Sequence, residues 1–372
     1  MHIVDTGTLA QGDAGTARAC ITFGTITPLQ DGTLLATGRA GDDKDSDREQ
    51  IEMYRSSDGG HSWGQPTTPF SKAIVDGKFG TLKLCYLTQL SPGHILAAAM
   101  WVDRTTYPGM PLFNADTEGC LPMAILLAES HDSASSWSPW RKVSMPDDIG
   151  PPSLTNPILS LADGSLAMSI ETNKHYSDAS TWHQRAVFLR STDNGVSWSG
   201  PKPVAQDKTG RIFNWDLRCG VNPNGTVASF AWTYDRRTEE YQNVFRRVSV
   251  DHAETWSAPQ DLGFADQAGP PAILPDGRVV LAWVDRFGDQ CIRARITPAI
   301  DGDFDPASEV VIYTHASPKD SKSKDTGDLL AGMEMWGFGL PFATTLPDGD
   351  VLVTYYAGDN HAMSLQFARL SV

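Results

Sequence analysis

The 372-residue sequence lacks long apolar runs, an excess of basic residues and paired cysteines. Without a run of about 18 apolar residues it offers no candidate transmembrane helix. With 30 Lys and Arg against 45 Asp and Glu, the formal net charge is −15. This charge argues against nucleic acid and anionic membranes as partners, because phosphate groups are bound by basic surfaces. A small or neutral ligand fits the composition better.

The cysteine pattern excludes two further classes of protein. The five cysteines are odd in number and widely spaced, and they contain no C-x-x-C pair. The pattern therefore indicates neither a disulfide framework nor a zinc site, and it predicts buried thiols. The segment Met1 to Gly7 has no basic stretch followed by an apolar one, as a secretory signal would. We expect a cytoplasmic protein with no cofactor and no metal.

What the sequence does contain is a repeated octet with the pattern S-x-D-x-[GA]-x-[ST]-W. Its four copies begin at Ser56, Ser130, Ser191 and Ser249. The Asp carboxylate can accept main-chain N–H bonds, glycine permits a positive φ, and the Trp ring packs beside the turn. We predict that each octet is a hairpin turn with a structural role.

A second repeat consists of two apolar runs separated by a turn dipeptide that ends in glycine. Six such turns occur, at Gly32, Gly93, Gly164, Gly225, Gly277 and Gly349. Strand-turn-strand signals at this spacing, without sustained helical periodicity, predict four-stranded antiparallel blades. The sequence thus predicts an all-β, six-bladed β-propeller forming a single domain over residues 1–372. A first strand at His2 to Leu9 is expected to close the ring by pairing with Met363 to Leu370.

This topology separates the loops of the propeller into two faces. The octets and the glycine turns share one face, and the loops between the second and third strands of each blade share the other. The second set carries most of the reactive side chains, so we expect the functional site there. The segment from His315 to Met335 has no strand pattern and is predicted to be a loop over one face.

The two repeats together resemble the sialidase (neuraminidase) superfamily, six-bladed propellers with Asp-box, or BNR, repeats. The densest local match is residues 31–63, DGTLLATGRAGDDKDSDREQIEMYRSSDGGHSW. The resemblance implies that Arg39 lies beside the substrate and that Asp45 or Asp47 is the acid/base. A solvated or cation-binding acidic loop is the alternative for Asp42 to Asp47, although the loop lacks a recognised calcium spacing.

Other family positions are not matched. Thr22-Phe23-Gly24 stands where the family has Arg-Ile-Pro, whose arginine belongs to a triad that binds the sialic acid carboxylate. Gly337 or Phe338 stands where the family has its nucleophilic tyrosine, whereas Asp216 keeps the spacing of the glutamate that polarises that tyrosine. The resemblance therefore predicts an exo-acting glycosidase. The terminal sugar that it removes can be acidic but need not be sialic acid.

Glycoside cleavage usually needs one protonated and one ionised carboxyl group at the scissile bond. The candidate catalytic residues are Asp45, Asp47, Asp216 and Glu334. The candidate substrate-binding residues, mostly from loops between second and third strands, are Arg39, Arg104, Glu171, His175, Trp215, Arg218, Tyr234, Arg236, Arg286 and His361.

Two other functions are compatible with the sequence. A lyase acting on a uronic acid would use Tyr234, Arg236 and His361 to remove a proton beside the carboxylate, and it would form an unsaturated product. A non-catalytic glycan-binding propeller would account for the missing family residues. The linkage, the stereochemistry and the oligomeric state are not predicted.

Overall fold

The computed structural model describes residues 1–70, 73–316, 326, 330, 332, 336–359 and 361–372. It confirms the all-β propeller architecture. Five hydrogen-bonded sheets are described, and the seven-stranded one comprises two blades, which gives six blades in total. Two single-turn 3₁₀ helices, Asp147–Ile149 and Pro306–Ser308, lie between strands.

Within each blade, neighbouring strands of the sheet pair in an antiparallel manner, and in the third and fifth blades two short strands share the inner position. The first three blades contain β2 (Cys20–Pro28), β3 (Leu34–Gly41) and β4 (Gln50–Ser56); β5 (Ile74–Val75), β6 (Lys78–Ser91), β7 (His94–Asp103), β8 (Met123–Ser130) and β9 (Arg141–Lys142); and β10 (Ser153–Leu154), β11 (Leu159–Ser160), β12 (Leu166–Glu171), β13 (Arg185–Ser191) and β14 (Ser199–Gln206). The last three contain β15 (Ile212–Val221), β16 (Val227–Asp235), β17 (Glu240–Ser249) and β18 (Gln260–Asp261); β19 (Gln267–Ala268), β20 (Ala272–Ile273), β21 (Val279–Asp285), β22 (Cys291–Thr297) and β23 (Val310–Thr314); and β24 (Phe338–Thr345), β25 (Val351–Gly358) and β26 (Met363–Ser371), with β1 (His2–Ala10) outermost.

The ring is closed by strands from both ends of the chain, as predicted. β1 pairs antiparallel with β26, from His2 opposite Ser371 to Ala10 opposite Leu365. A parallel bridge between Cys20 and Met363 then joins the sixth blade to the first. The first blade differs from the predicted four strands, because its outer position holds only the bridge between Met53 and Thr67.

The middle strands of the blades are buried on both faces. In β7, every residue from Ile95 to Asp103 is buried, and in β16 every residue is buried. A blade packs between two neighbouring blades, so these strands read as continuous apolar runs rather than as alternating patterns. All five cysteines are buried and free, as predicted.

The four octets share one hydrogen-bond pattern. In the first, Ser56 Oγ donates to Asp58 at 2.7 Å, and the backbone N–H groups of Gly60 and Ser62 donate to Ser56 Oγ and Asp58 at 2.9 and 3.0 Å. Equivalent bonds recur around Asp132, Asp193 and Asp251. These contacts stabilise a turn, as the repeat pattern predicts.

Most of the segment from His315 to Met335, predicted to be a loop, lies outside the described residues, and so does the candidate Glu334. Its described members Thr326, Leu330 and Gly332 have helical backbone, which the sequence pattern did not indicate. Among the described residues, no helix is both long enough and apolar enough to cross a membrane.

Candidate active site

A cavity of about 210 Å³ lies where the six blades meet. Each blade contributes side chains to its wall; one from each, in blade order, are Lys44, Lys83, Glu171, Asp216, Arg286 and Tyr356. Leu330, from the segment predicted to be a loop over one face, and Trp336, which follows that segment, also line it. None of the lining residues belongs to an octet or to a glycine turn. The cavity therefore lies on the face carrying the loops between second and third strands.

Register irregularities in the inner strands turn several side chains toward the cavity. The pairing of β2, β6, β15 and β24 with the next strand is interrupted at Phe23, Lys83, Asp216 and Leu340, and all four residues line the cavity. Phe23, Asp216 and Leu340 have φ angles of 54°, 47° and 48°. Residues other than glycine seldom adopt this left-handed conformation, and such strain clusters at functional sites.

Glu171 and Asp216 form a carboxyl pair in the wall of this cavity. Burial, followed by the charge of Asp216, raises the pKa of Glu171 to about 8. Asp216 accepts hydrogen bonds from Arg218 Nη2, at 3.2 Å, and from Gln267 Nε2. Glu171 is thus protonated at neutral pH, beside a carboxylate bound by a guanidinium and an amide.

Asp45 contributes a third carboxyl group from the loop between β3 and β4. It accepts hydrogen bonds of 2.7 Å from both Lys83 Nζ and Arg104 Nη2, and one of 2.9 Å from the backbone N–H of Leu112. Burial acts to raise the pKa of Asp45, but the charges and hydrogen bonds of Lys83 and Arg104 outweigh it and lower that pKa. Asp45 is therefore ionised at neutral pH and is poorly suited to donate a proton.

Arg39 lies beneath the cavity and does not line it. The side chain is fully buried, and its guanidinium donates to Thr22 Oγ1 at 2.8 Å, to the Lys44 carbonyl at 2.6 Å and to the Glu49 carboxylate. Glu49 also accepts from Arg104 at 3.3 Å. Arg39 and Arg104, both predicted to contact substrate, instead hold the Asp45 loop in place, because buried carboxylates occupy their donor groups.

Several other candidates lie away from the cavity wall. The side chain of Asp47 is 76% exposed, and its ion pair is with Arg48 at 3.7 Å. His175 and His361 are exposed. Arg218 is buried behind Asp216, where it donates to Tyr86 Oη at 3.0 Å. His175 and His361 were predicted from the face on which their loops lie, and Asp47 from the family resemblance, but none of these side chains and not that of Arg218 lines the central cavity.

Tyr234 and Arg236 line a second, neighbouring cavity. Arg236 donates to both carboxylate oxygens of Glu118, at 2.9 and 3.1 Å. The Tyr234 ring stacks on Trp215, with centroids 5.5 Å apart and planes 11° apart, and Trp215 lines the central cavity. The predicted Tyr234, Arg236 and His361 set is therefore not gathered in the central cavity.

Sequence reasoning missed two lysines and a tyrosine of the cavity wall. Lys44 Nζ donates to Tyr356 Oη at 3.2 Å and to the Trp336 carbonyl at 2.9 Å. Burial lowers the pKa of Lys44 and raises the pKa of Tyr356 to about 12. For Lys83 a signal exists, because a lone lysine between Leu82 and Leu84 in an apolar strand must find a buried partner.

The remaining wall is largely aromatic. Its rings are those of Phe23, Phe113, Trp182, Trp215, Trp232, Trp336 and Tyr356. The Arg286 guanidinium lies 3.9 Å from the centroid of the Trp336 ring and donates to Gln267 Oε1 at 3.1 Å. A Cβ at Gly339 would lie 2.8 Å from Arg286 Nη2 and 3.1 Å from Tyr356 Oη, so glycine is needed for this close approach. Flat aromatic surfaces beside a few polar groups suit a sugar ring.

Solved structures similar to this chain are propellers from several organisms. A protein of unknown function from Dyadobacter fermentans has a TM-score of 0.75 and 22% identity, with 100% of each chain covered. An intramolecular trans-sialidase from Ruminococcus gnavus has a TM-score of 0.64 and 14% identity, with 96% of each chain covered. An α-L-arabinanase from Penicillium chrysogenum has a TM-score of 0.62 and 16% identity, over 99% of this chain and 98% of that one.

The chain has the fold of the sialidases. No family model matches it. A curated sialidase from Micromonospora viridifaciens is 25% identical over 247 residues, which are 59% of this chain. The match covers only 35% of that sialidase. The relatives with this fold thus include enzymes named for sialic acid and an enzyme named for arabinan, and the sialidase fold by itself does not specify the sugar.

Proposed function

We propose that the chain is an exo-acting glycoside hydrolase that holds a terminal sugar in the central cavity. The observation that carries this proposal is the Glu171 and Asp216 pair. Glycosidases keep one carboxyl group protonated by burial and a second one ionised. A Glu171 pKa of about 8 beside the Asp216 carboxylate meets the first requirement at neutral pH.

The residues take the following roles. Glu171 gives its proton to the glycosidic oxygen as the bond between that oxygen and the anomeric carbon breaks. The carboxylates of Asp216 and Asp45 stabilise the positive charge that develops on the sugar ring. Water then adds to the anomeric carbon, and its proton restores the acid. The family resemblance predicted that Asp45 or Asp47 donates the proton, whereas this proposal assigns that role to Glu171.

Substrate binding is assigned to the polar and aromatic groups of the wall. Trp215 and Trp336 provide ring faces, while Gln267, Arg286 and Lys44 provide hydrogen-bond donors at the same cavity. The positive charge of Arg286 makes an acidic sugar compatible with the site. The relatives named as sialidases and an arabinanase support carbohydrate as the substrate class.

The test is a product assay on a panel of chromogenic glycosides that includes sialosides, uronides and arabinosides. We expect the unmodified protein to release the chromophore and Glu171→Gln to lose this activity. The control variant Asp47→Asn, which removes an exposed carboxylate outside the cavity, should keep the activity. Appearance of an unsaturated, ultraviolet-absorbing product would favour the lyase. Binding of oligosaccharides without turnover on any of them would favour the glycan-binding function.

A further inference from the structure

Two histidines and a glutamate come together in the second blade, outside the cavity wall. β7 and β8 pair with Ile95 opposite Ser130. Continuing that register by one residue puts His94 opposite His131, at the start of the second octet. Glu129 lies two residues before His131 and therefore on the same face of its strand. The pairing of β7 with β8 alone thus brings three possible metal ligands to one surface.

The three side chains converge on a common point. Glu129 Oε2 lies 3.1 Å from His94 Nε2 and 3.5 Å from His131 Nε2. The two imidazole rings are stacked, with centroids 4.3 Å apart. One ligand atom from each residue lies within 4.8 Å of the other two. The donors are gathered on one surface, and because an imidazole nitrogen binds a metal in its ring plane, one of the two stacked rings must rotate for both to reach the same ion.

The two distances from Glu129 to the histidine nitrogens are close to the spacing of ligands around zinc. Zinc binds imidazole nitrogen and carboxylate oxygen at about 2.0–2.2 Å, so neighbouring ligands of a tetrahedral site lie about 3.3–3.5 Å apart. Two imidazoles and one carboxylate form a known zinc ligand set, with the fourth position left to water. The His131 side chain is 70% exposed, which leaves solvent access to that position.

We propose that His94, Glu129 and His131 bind Zn²⁺, or a divalent transition ion of similar preference, where β7 begins and β8 ends in the second blade. A cation already lies beside the cluster: Arg141 Nη2 is 3.9 Å from Glu129 Oε1. Its guanidinium is held by the Gly195 carbonyl at 2.7 Å, so it weakens the site by its charge without occupying it. The ion would tie the start of β7 to the second octet and stabilise the blade.

The test is calorimetric titration of the full chain, prepared without a polyhistidine tag, with Zn²⁺. We expect one ion bound per chain, and a loss of at least about tenfold in affinity in His131→Ala, because removal of a ligand weakens metal sites strongly. Binding is expected to weaken as the pH is lowered, because protons compete with the metal ion for its ligands. The matched control is His252→Ala, which removes an exposed octet histidine outside the cluster.

A second readout is thermal stability. Zn²⁺ should raise the melting temperature of the unmodified protein and of His252→Ala, because an ion that binds only the folded state stabilises it. At the same Zn²⁺ concentration it should raise that of His131→Ala by less. Equal affinities in His131→Ala and His252→Ala, or absence of saturable binding to the unmodified protein, would overturn the proposal. Turnover is expected to be unchanged in His131→Ala, so failure of this proposal and failure of the proposed hydrolase are separate results.

Discussion

The backbone N–H of Leu217 donates a hydrogen bond of 2.9 Å to Oε1 of Glu171. Leu217 follows Asp216, whose φ of 47° interrupts the pairing of β15 with β16. One irregularity therefore turns the Asp216 carboxylate into the cavity and directs a backbone donor at the neighbouring acid. The fourth blade supplies both the charge that acts on Glu171 and the bond that orients it.

The first prediction concerns turnover by Glu171. The rate should fall as the pH rises through about 8, because the raised pKa of Glu171 means that its proton is lost there. Glu171→Gln should lower kcat by about 10²–10⁴-fold, the usual contribution of a general acid. The measurement is kcat at pH values on both sides of 8, with Asp47→Asn expected within about twofold of the unmodified protein. A rate that keeps rising above pH 8 would contradict the role of Glu171.

The same shift predicts a pH-dependent stability. The pKa of Glu171 is raised from 4.5 to about 8, so between these values the folded chain binds more protons than the unfolded chain. The contribution of Glu171 to the free energy of unfolding should therefore decrease as the pH rises through this window. The measurement is denaturant unfolding of the unmodified protein and of Glu171→Gln at several pH values. Glutamine does not titrate, so the variant should lack this part of the pH dependence. Parallel curves for both proteins would refute the shift.

A third prediction concerns the buried charges under the cavity. Glu49 contacts the cationic groups of Arg39, Lys83 and Arg104. Glu49→Gln leaves these cations partly uncompensated in a buried site, and removal of one partner of such a set costs about 3–5 kcal/mol. Urea unfolding measures the loss. Asp47→Asn, in the same loop but exposed, should change stability by less than about 0.5 kcal/mol.

The octets should make the protein sensitive to acid. Hydrogen bonds from the Ser136 hydroxyl, the Ser136 backbone and the Ser130 hydroxyl lower the pKa of Asp132 from 3.8 to about 2. A lowered pKa stabilises the fold above the unfolded value of 3.8, and this contribution is lost as the pH falls toward 2. Asp132→Asn should melt at a lower temperature than the unmodified protein at pH 6. The difference should shrink near pH 2, and a constant difference would contradict the prediction.

The fold was predictable because its signals are local. An Asp, a Gly or Ala and a Trp at fixed spacing determine a turn through hydrogen bonds that span only four residues, as around Asp58. The glycine turns mark the hairpins in the same way. The loop faces follow from the hairpin order, so the face carrying the cavity was predictable as well.

The identity of the cavity residues was less predictable, because it depends on register. Phe23, Lys83 and Asp216 enter the cavity through irregular pairing, and a shift of one residue moves a side chain to the other face of a strand. The sequence pattern does not encode where such a shift occurs. The burial of a side chain was not predictable either. Arg39 lies near a strand end beside an acidic loop, but its guanidinium is buried because it bonds to the buried carboxylate of Glu49.

The pairing of β1 with β26 has a consequence for folding. Ile3 and Leu370 meet only after most of the polypeptide has been synthesised, and contacts of such separation form slowly because they close a very long loop. Until then the sixth blade exposes the unpaired backbone N–H and C=O groups at the edge of β26, which can pair with strands of other chains. Docking of β1 is therefore the step that removes this edge and protects the nascent ring from aggregation.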